Sequence, residues 1–218
     1  MRPVVILASS SPRRYDFLAR LGVPFTAQAA NVDETPLPGE EPVALAIRLA
    51  LSKANKVAQD HAAQPGTMVI GADTVVALDG ALLGKPVDDT EAVAMLRQLR
   101  GKPHEVHSAV CLVRPGAEAR TAVSTTTVWM RDYSDAEIAA YVATGDPLDK
   151  AGAYAIQHPE FLPVARIEGC LSSVVGLPLG ELHDLLAQAG VRTADVVTVC
   201  EAHTYFACCR RGCADASS

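Results

Sequence analysis

Apolar residues recur along the chain in two patterns, short β-branched runs and longer segments with helical spacing, which predict strands and helices. Ser11 before Pro12 and the capping box that begins at Ser134 mark two helix starts, and Gly22 marks a helix end. The predicted strands cover residues 4–8, 25–29, 68–78, 81–83, 104–113 and 122–130. The predicted helices cover residues 12–21, 42–61, 90–99, 135–144 and 178–189.

The longest predicted strand, from Met68 to Leu78, carries a carboxylate at Asp73 in the middle of an apolar run. An unpaired charge in a buried strand is costly, so Asp73 needs a cationic partner, a hydrogen bond or a metal ion. We therefore favour a functional role for this residue. The alternative is that Asp73 forms a turn at a strand end, with its side chain in water.

A serine-rich turn follows the first predicted strand and leads into a helix that starts with Arg13 and Arg14. Backbone N–H groups, hydroxyls and guanidinium groups at a helix start form a suitable cradle for phosphate. Basic residues in a first turn oppose the helix dipole, so without a bound anion the helix gains nothing from them. The turn is therefore interpreted as an anion-binding site.

Two further segments resemble known motifs only superficially. Asp79-Gly80 predicts a hairpin that brings Lys85 back towards Asp73, but residues 80–86 lack the spacing of a Walker phosphate loop. His104 and His107 lack the spacing of a zinc-protease motif and are expected to be ordinary surface residues.

The composition is that of a globular protein, with 49% hydrophobic and 20% charged residues among 218, enough for one domain or two small lobes. Only a short apolar run precedes the first serines, and no run of about eighteen apolar residues follows, so we expect a cytoplasmic protein. A net charge of -6 argues against broad binding to nucleic acid or membranes. A local basic pocket for an anionic small molecule remains compatible with it.

The six cysteines fall into two groups. Cys111 and Cys170 lie in apolar segments and are expected to be small buried hydrophobic residues. The others crowd near the C-terminal end of the sequence without a pair of C-x-x-C elements, so a loosely ordered extension is favoured over a zinc site. They are Cys200, Cys208, Cys209 and Cys213.

Seven short motifs together resemble the Maf-like nucleoside triphosphate pyrophosphatases. The resemblance spans about residues 4–190, which suggests a family domain at 1–192 and a Cys-rich extension of unknown role at 193–218. In order, the motifs are ASSSPRR, VDET, SKA, IGADT, LGKP, DKAGAYAIQ and VVGLP.

The resemblance implies an α/β fold with an elongated mixed sheet flanked by helices and a central cleft between two lobes, similar to inosine triphosphate pyrophosphatases. It also implies hydrolysis of a nucleoside triphosphate to the monophosphate and pyrophosphate with a divalent cation, Mg²⁺ or Mn²⁺. Asp73 matches the catalytic acid/base residue, and Glu34 with Asp73 matches the metal ligands. The positions that match phosphate-binding residues are Ser9, Arg14, Lys53 and Lys85.

The motif that ends at Gln157 resembles the branch of the family that acts on dTTP and UTP. In that branch the positions of Arg13, Thr74 and Gln157 are linked with substrate choice. Ala155 stands where members of the branch commonly have Gly, which affects only the fine shape of the pocket. Another triphosphate as substrate, a nucleotide-binding regulator of cell division without turnover, and a homodimer all remain open.

Overall fold

The computed structural model describes residues 4–64, 66–203 and 208–209. In this part of the chain, a seven-stranded mixed sheet is flanked by helices, with strand order β2-β1-β3-β5-β6-β7 and β4 paired to β3. The predicted α/β architecture is therefore confirmed. The strands are β1 Val4–Leu7, β2 Phe25–Ala27, β3 Thr67–Leu78, β4 Ala81–Leu83, β5 Pro103–Val113, β6 Arg120–Met130 and β7 Val164–Glu168. The helices are α1 Pro12–Arg20, α2 Pro42–Asp60, α3 Asp89–Leu99, α4 Asp135–Val142, α5 Leu171–Val175, α6 Leu179–Gln188 and α7 Val196–His203.

The predicted capping residues begin their helices in the structure. The Ser11 hydroxyl accepts a hydrogen bond from the Arg14 backbone N–H at the start of α1, and Pro12 is the first helical residue. At α4, Ser134 and Glu137 form both hydrogen bonds of a capping box. These local interactions fix where each chain segment enters its helix, which for α1 also fixes the position of the serine-rich turn.

Two segments contain elements that were not predicted. The stretch leading to Gln157 contains two 3-10 turns, Asp146–Asp149 and Ala151–Ala153, with Gly152 at a φ of 72°. The edge strand β7 was not predicted, because its five residues, Val164–Glu168, include only two β-branched apolar side chains, too few for a clear strand pattern.

Within the predicted extension, the structure describes one helix, α7. Val196, Val199 and Cys200 of α7 are buried in the hydrophobic core that also holds α1 and α6, because their spacing gives this helix an apolar face. Cys208 is buried in the same core. Cys111 and Cys170 are buried as predicted, whereas Cys213 lies outside the described residues.

The prediction that His104 and His107 are surface residues is wrong. They are 3% and 4% exposed, since β5 is a central strand with both faces covered. His104 Nε2 lies 2.7 Å from the Tyr154 hydroxyl, and His107 Nδ1 lies 3.0 Å from the Thr125 hydroxyl. Hydrogen bonds to neighbouring hydroxyls thus allow both imidazoles to lie inside the protein.

Acidification should destabilise the fold through His104. Burial lowers the pKa of His104 from 6.5 to about 4. Between these two pH values the imidazole is protonated in the unfolded chain but stays neutral in the folded chain. The folded state therefore has its full stability above the pKa of His104 in the unfolded chain, and loses stability as the pH falls towards the pKa in the folded chain. The free energy of unfolding should drop by up to about 3 kcal/mol across this window.

Urea unfolding of the wild type, His104→Gln and the half-buried control His61→Gln at pH 7 and pH 5 measures this effect. The His104→Gln protein should lose less stability on acidification than the other two. Equal losses in all three proteins would show that His104 does not cause the pH dependence.

Candidate active site

A cleft of about 1120 Å³ opens where β3 lacks a strand on one edge. β1 pairs with β3 as far as Leu7 opposite Ile70, and β4 pairs with β3 only from Val76 onward. Along residues 71–75 the described chain supplies a strand neighbour on the β5 side alone. The gap exposes the middle of a buried strand to the cleft without breaking the sheet.

Adjacent side chains of β3 point to opposite faces of the sheet at this gap. Asp73 is directed towards α2, and its Oδ1 lies 2.6 Å from Lys53 Nζ. The same ammonium group lies 2.6 Å from Glu34 Oε1, so one buried cation joins two carboxylates. The predicted phosphate ligand Lys53 is therefore an ion-pair partner in this structure.

A glycine explains how α2 comes close enough for this contact. A Cβ atom on Gly71 would lie 2.1 Å from the Ala50 carbonyl oxygen and 2.8 Å from the Ala54 Cβ. No other residue fits there without moving the helix, so Gly71 sets the separation of α2 and β3. That separation brings Lys53 within reach of Asp73.

Asp73 lies mid-strand and is only 6% exposed, so the alternative of a water-exposed turn residue is wrong. Burial raises the pKa of its carboxyl group and Glu34 adds to this effect, while Lys53 and Arg14 oppose it. A carboxylate with a raised pKa accepts a proton more readily near neutral pH. The geometry therefore suits a general base.

Arg14 joins the serine-rich turn to the opposite face of the sheet. Its Nε donates to the Gly176 carbonyl oxygen at 2.8 Å, and its Nη2 donates to the Thr74 hydroxyl at 3.4 Å. Its Nη1 is 3.5 Å from the Ser9 hydroxyl. Burial lowers the pKa of the Arg14 guanidinium, an effect that the carboxylates of Asp73 and Glu34 oppose.

The hairpin delivers Lys85 to the cleft as predicted. Asp79 and Gly80 have positive φ angles of 51° and 80° at its turn, and the Gly152 N–H donates to the Gly84 carbonyl oxygen at 3.0 Å. Lys85 and Gln157 are both exposed side chains of the cleft lining. All nine predicted site residues line this one cleft: Ser9, Arg13, Arg14, Glu34, Lys53, Asp73, Thr74, Lys85 and Gln157.

Lys150 is a buried cation of the cleft that was not predicted from the sequence. Its ammonium group lies 2.8 Å from Asp146 Oδ1 and 2.5 Å from Asp149 Oδ1, and it donates to the Asp146 carbonyl oxygen at 2.7 Å. The Tyr141 hydroxyl donates to Asp146 Oδ2 at 2.6 Å. The Asp-Lys pair inside the DKAGAYAIQ motif was the available signal, since a lysine flanked by carboxylates at this spacing can pair with them.

The comparison that decides the family covers most of the chain. The protein-family model described as "Maf-like protein" matches residues 4–189 of this chain. The chain belongs to the Maf-like family. The expected resemblance is confirmed, and the match ends before α7 of this Maf-like protein.

Curated relatives of this Maf-like protein carry the name "dTTP/UTP pyrophosphatase". The one from Oleidesulfovibrio alaskensis is 50% identical over 190 residues, covering 86% of this chain and 85% of the relative. That from Myxococcus xanthus is 50% identical over 188 residues, covering 86% and 93%. Among solved structures, a nucleoside-triphosphatase / dITP/XTP pyrophosphatase from Mycobacterium abscessus is similar with a TM-score of 0.39 and 18% identity, covering 59% of this chain and 74% of that chain.

Two further observations concern the described part of this Maf-like protein. None of the helices in the described ranges combines the length and apolarity needed to cross a bilayer. Among the same residues, no cluster of three or more His, Cys, Asp or Glu side chains is placed to hold a metal ion. A metal bound at Glu34 and Asp73 would therefore need further ligands from water or from a bound anion.

Proposed function

We propose that this chain is a cytoplasmic nucleoside triphosphate pyrophosphatase that hydrolyses dTTP and UTP to the monophosphate and pyrophosphate, removing unwanted or modified nucleotides. The observation that carries the proposal is the cleft in which the buried carboxylate of Asp73 faces a set of cationic side chains. The names of the relatives at 50% identity support the substrate class. The net charge of -6 argues against a nucleic acid as the ligand. It is compatible with a small anionic substrate that binds to a local basic site.

In the proposed reaction, Asp73 accepts a proton from the water that attacks the α-phosphorus, and pyrophosphate leaves. Arg13, Arg14 and Lys85 offset the negative charge that grows on the phosphoryl oxygens, with Ser9 donating from the turn beside them. Lys53 holds the Asp73 carboxylate in place before substrate arrives.

Glu34 and Asp73 are the proposed ligands of a divalent cation, Mg²⁺ or Mn²⁺. The chemistry of this donor set fits the ion, because both residues offer hard carboxylate oxygens, which already share one cation, the Lys53 ammonium group at 2.6 Å from each. Such an ion supplies charge neutralisation at the triphosphate and a more acidic water. A site with two protein carboxylates is typical of Mg²⁺ that is also bound by substrate phosphates.

A panel of triphosphates assayed for pyrophosphate release tests the substrate assignment. The wild type should prefer dTTP and UTP, and no release from either would refute the proposal. In the Gln157→Ala protein, kcat/KM should fall roughly 5- to 150-fold more on dTTP and UTP than on other triphosphates, because a pocket amide that pairs with the pyrimidine edge is lost.

Lys85→Ala is the matched control in the same cleft. A phosphate contact carries no information about the base, so this variant should lose activity by a similar factor on every triphosphate. If Gln157→Ala also lowers all substrates equally, then Gln157 does not recognise the base.

A further inference from the structure

A buried serine lies directly behind the Thr74 hydroxyl. Ser108 of β5 pairs with Thr74 of β3 in the sheet register, and its side chain is 0% exposed. The Thr74 and Ser108 hydroxyl oxygens are 2.8 Å apart, and the Ser108 hydroxyl donates to the Ser173 carbonyl oxygen at 2.7 Å. Thr74 therefore contacts a hydroxyl that is itself hydrogen-bonded to the backbone of α5.

The available hydrogens determine the direction of this chain. A serine hydroxyl has one hydrogen to donate, and Ser108 gives it to the Ser173 carbonyl oxygen. Ser108 must then accept from Thr74, whose own hydrogen is thereby used. The contact from Thr74 to the Gly176 carbonyl oxygen is longer, at 3.4 Å, so it does not compete well for that hydrogen.

This direction leaves the Thr74 oxygen as an acceptor towards the cleft. Arg14 Nη2 donates to it at 3.4 Å, while Arg14 Nε donates to the Gly176 carbonyl oxygen at 2.8 Å. Without Ser108, the Thr74 hydrogen would turn to that same carbonyl, which is its remaining acceptor among these contacts, and would compete there with Arg14. The hydroxyl of Ser108 thus controls what Thr74 and Arg14 present to a ligand.

We propose that Ser108 is a positioning residue for substrate selection, which acts by fixing the Thr74 hydroxyl as an acceptor beside Arg14. This inference rests on the proposed function and adds a residue that touches no ligand, since Ser108 is buried behind the cleft wall. Its effect reaches the substrate only through Thr74.

The test compares kcat/KM on dTTP and UTP with that on other triphosphates in Ser108→Ala and Ser173→Ala. Ser173 is the matched control, because its side chain is equally buried and its hydroxyl donates to the Ser124 carbonyl oxygen, away from Thr74. The ratio of kcat/KM on dTTP to kcat/KM on other triphosphates should fall roughly 3- to 10-fold in Ser108→Ala, as expected for the loss of one oriented hydrogen bond. It should stay within about twofold of wild type in Ser173→Ala.

A loss of folded protein lowers activity on all substrates equally and leaves this ratio unchanged. Ser108→Cys, which keeps the size of the side chain but accepts hydrogen bonds weakly, gives the same test if Ser108→Ala fails to fold. Adding Ser108→Ala to Thr74→Val should change the ratio no further, because the group through which Ser108 acts is already gone.

An unchanged ratio in both Ser108 variants, or an equal further fall in the Thr74→Val background, would overturn the inference while the wild type remains an active pyrophosphatase. A wild type without pyrophosphate release from any triphosphate would overturn the proposed function, and the inference with it.

Discussion

Replacing Asp73 with asparagine should lower turnover of dTTP and UTP by roughly 100-fold or more, the usual size of general-base catalysis. Asparagine keeps the shape of the side chain but cannot accept a proton from water. The fold should survive, because Lys53 keeps its contact with Glu34, at 2.6 Å, when the charge of Asp73 is removed. Single-turnover assays of pyrophosphate release measure the effect.

Asp16→Asn is the control for removing one aspartate charge, since Asp16 is exposed on α1 and does not line the cleft. Its turnover should match that of the wild type. Circular dichroism and thermal unfolding establish that both variants are folded. Near-normal turnover in folded Asp73→Asn protein would show that another group activates the water.

Chelation of divalent cations should abolish activity, and Mg²⁺ or Mn²⁺ should restore it. The physical reason is that the triphosphate brings several negative charges towards the carboxylates of Glu34 and Asp73, and this repulsion must be neutralised before attack. Lys53 alone supplies one positive charge between those two carboxylates. Steady-state rates with EDTA, and then with each metal added back, measure the requirement.

Two controls make the metal experiment specific. EDTA already saturated with Mg²⁺ should leave the rate unchanged, which excludes a direct effect of the chelator. Glu34→Gln should weaken Mn²⁺ binding measured by electron paramagnetic resonance, because one carboxylate ligand is lost. Full activity in excess EDTA would refute the metal requirement, and unchanged Mn²⁺ binding in Glu34→Gln would remove Glu34 from the ligand set.

Local signals predicted the parts of the fold that depend on neighbouring residues. Ser11 and Ser134 cap helices, and Asp79-Gly80 turns a hairpin, because each requires only a few adjacent residues. The placement of His104 and His107 was mispredicted, since it depends on which strands neighbour β5, and that is set by distant parts of the chain.

The candidate site was predicted as a set of residues but not as an arrangement. The family motifs predicted that Lys53 is a phosphate ligand, whereas in the structure it forms ion pairs with Asp73 and Glu34. That pairing follows from the close packing of α2 at Gly71, which no local pattern reveals. Ser108 was missed because a single serine in an apolar strand carries no signal until its opposite residue, Thr74, is known.

The pairing of β1 with β3 also makes formation of the site during folding depend on contacts between distant parts of the chain. Leu7 pairs in parallel with Ile70, and Arg14 meets the Gly176 carbonyl across 162 residues. Closing loops of this length costs conformational entropy, which slows the formation of such contacts. A chain that has not made these long-range contacts has no complete site, so recovery of turnover after dilution from denaturant reports on their formation.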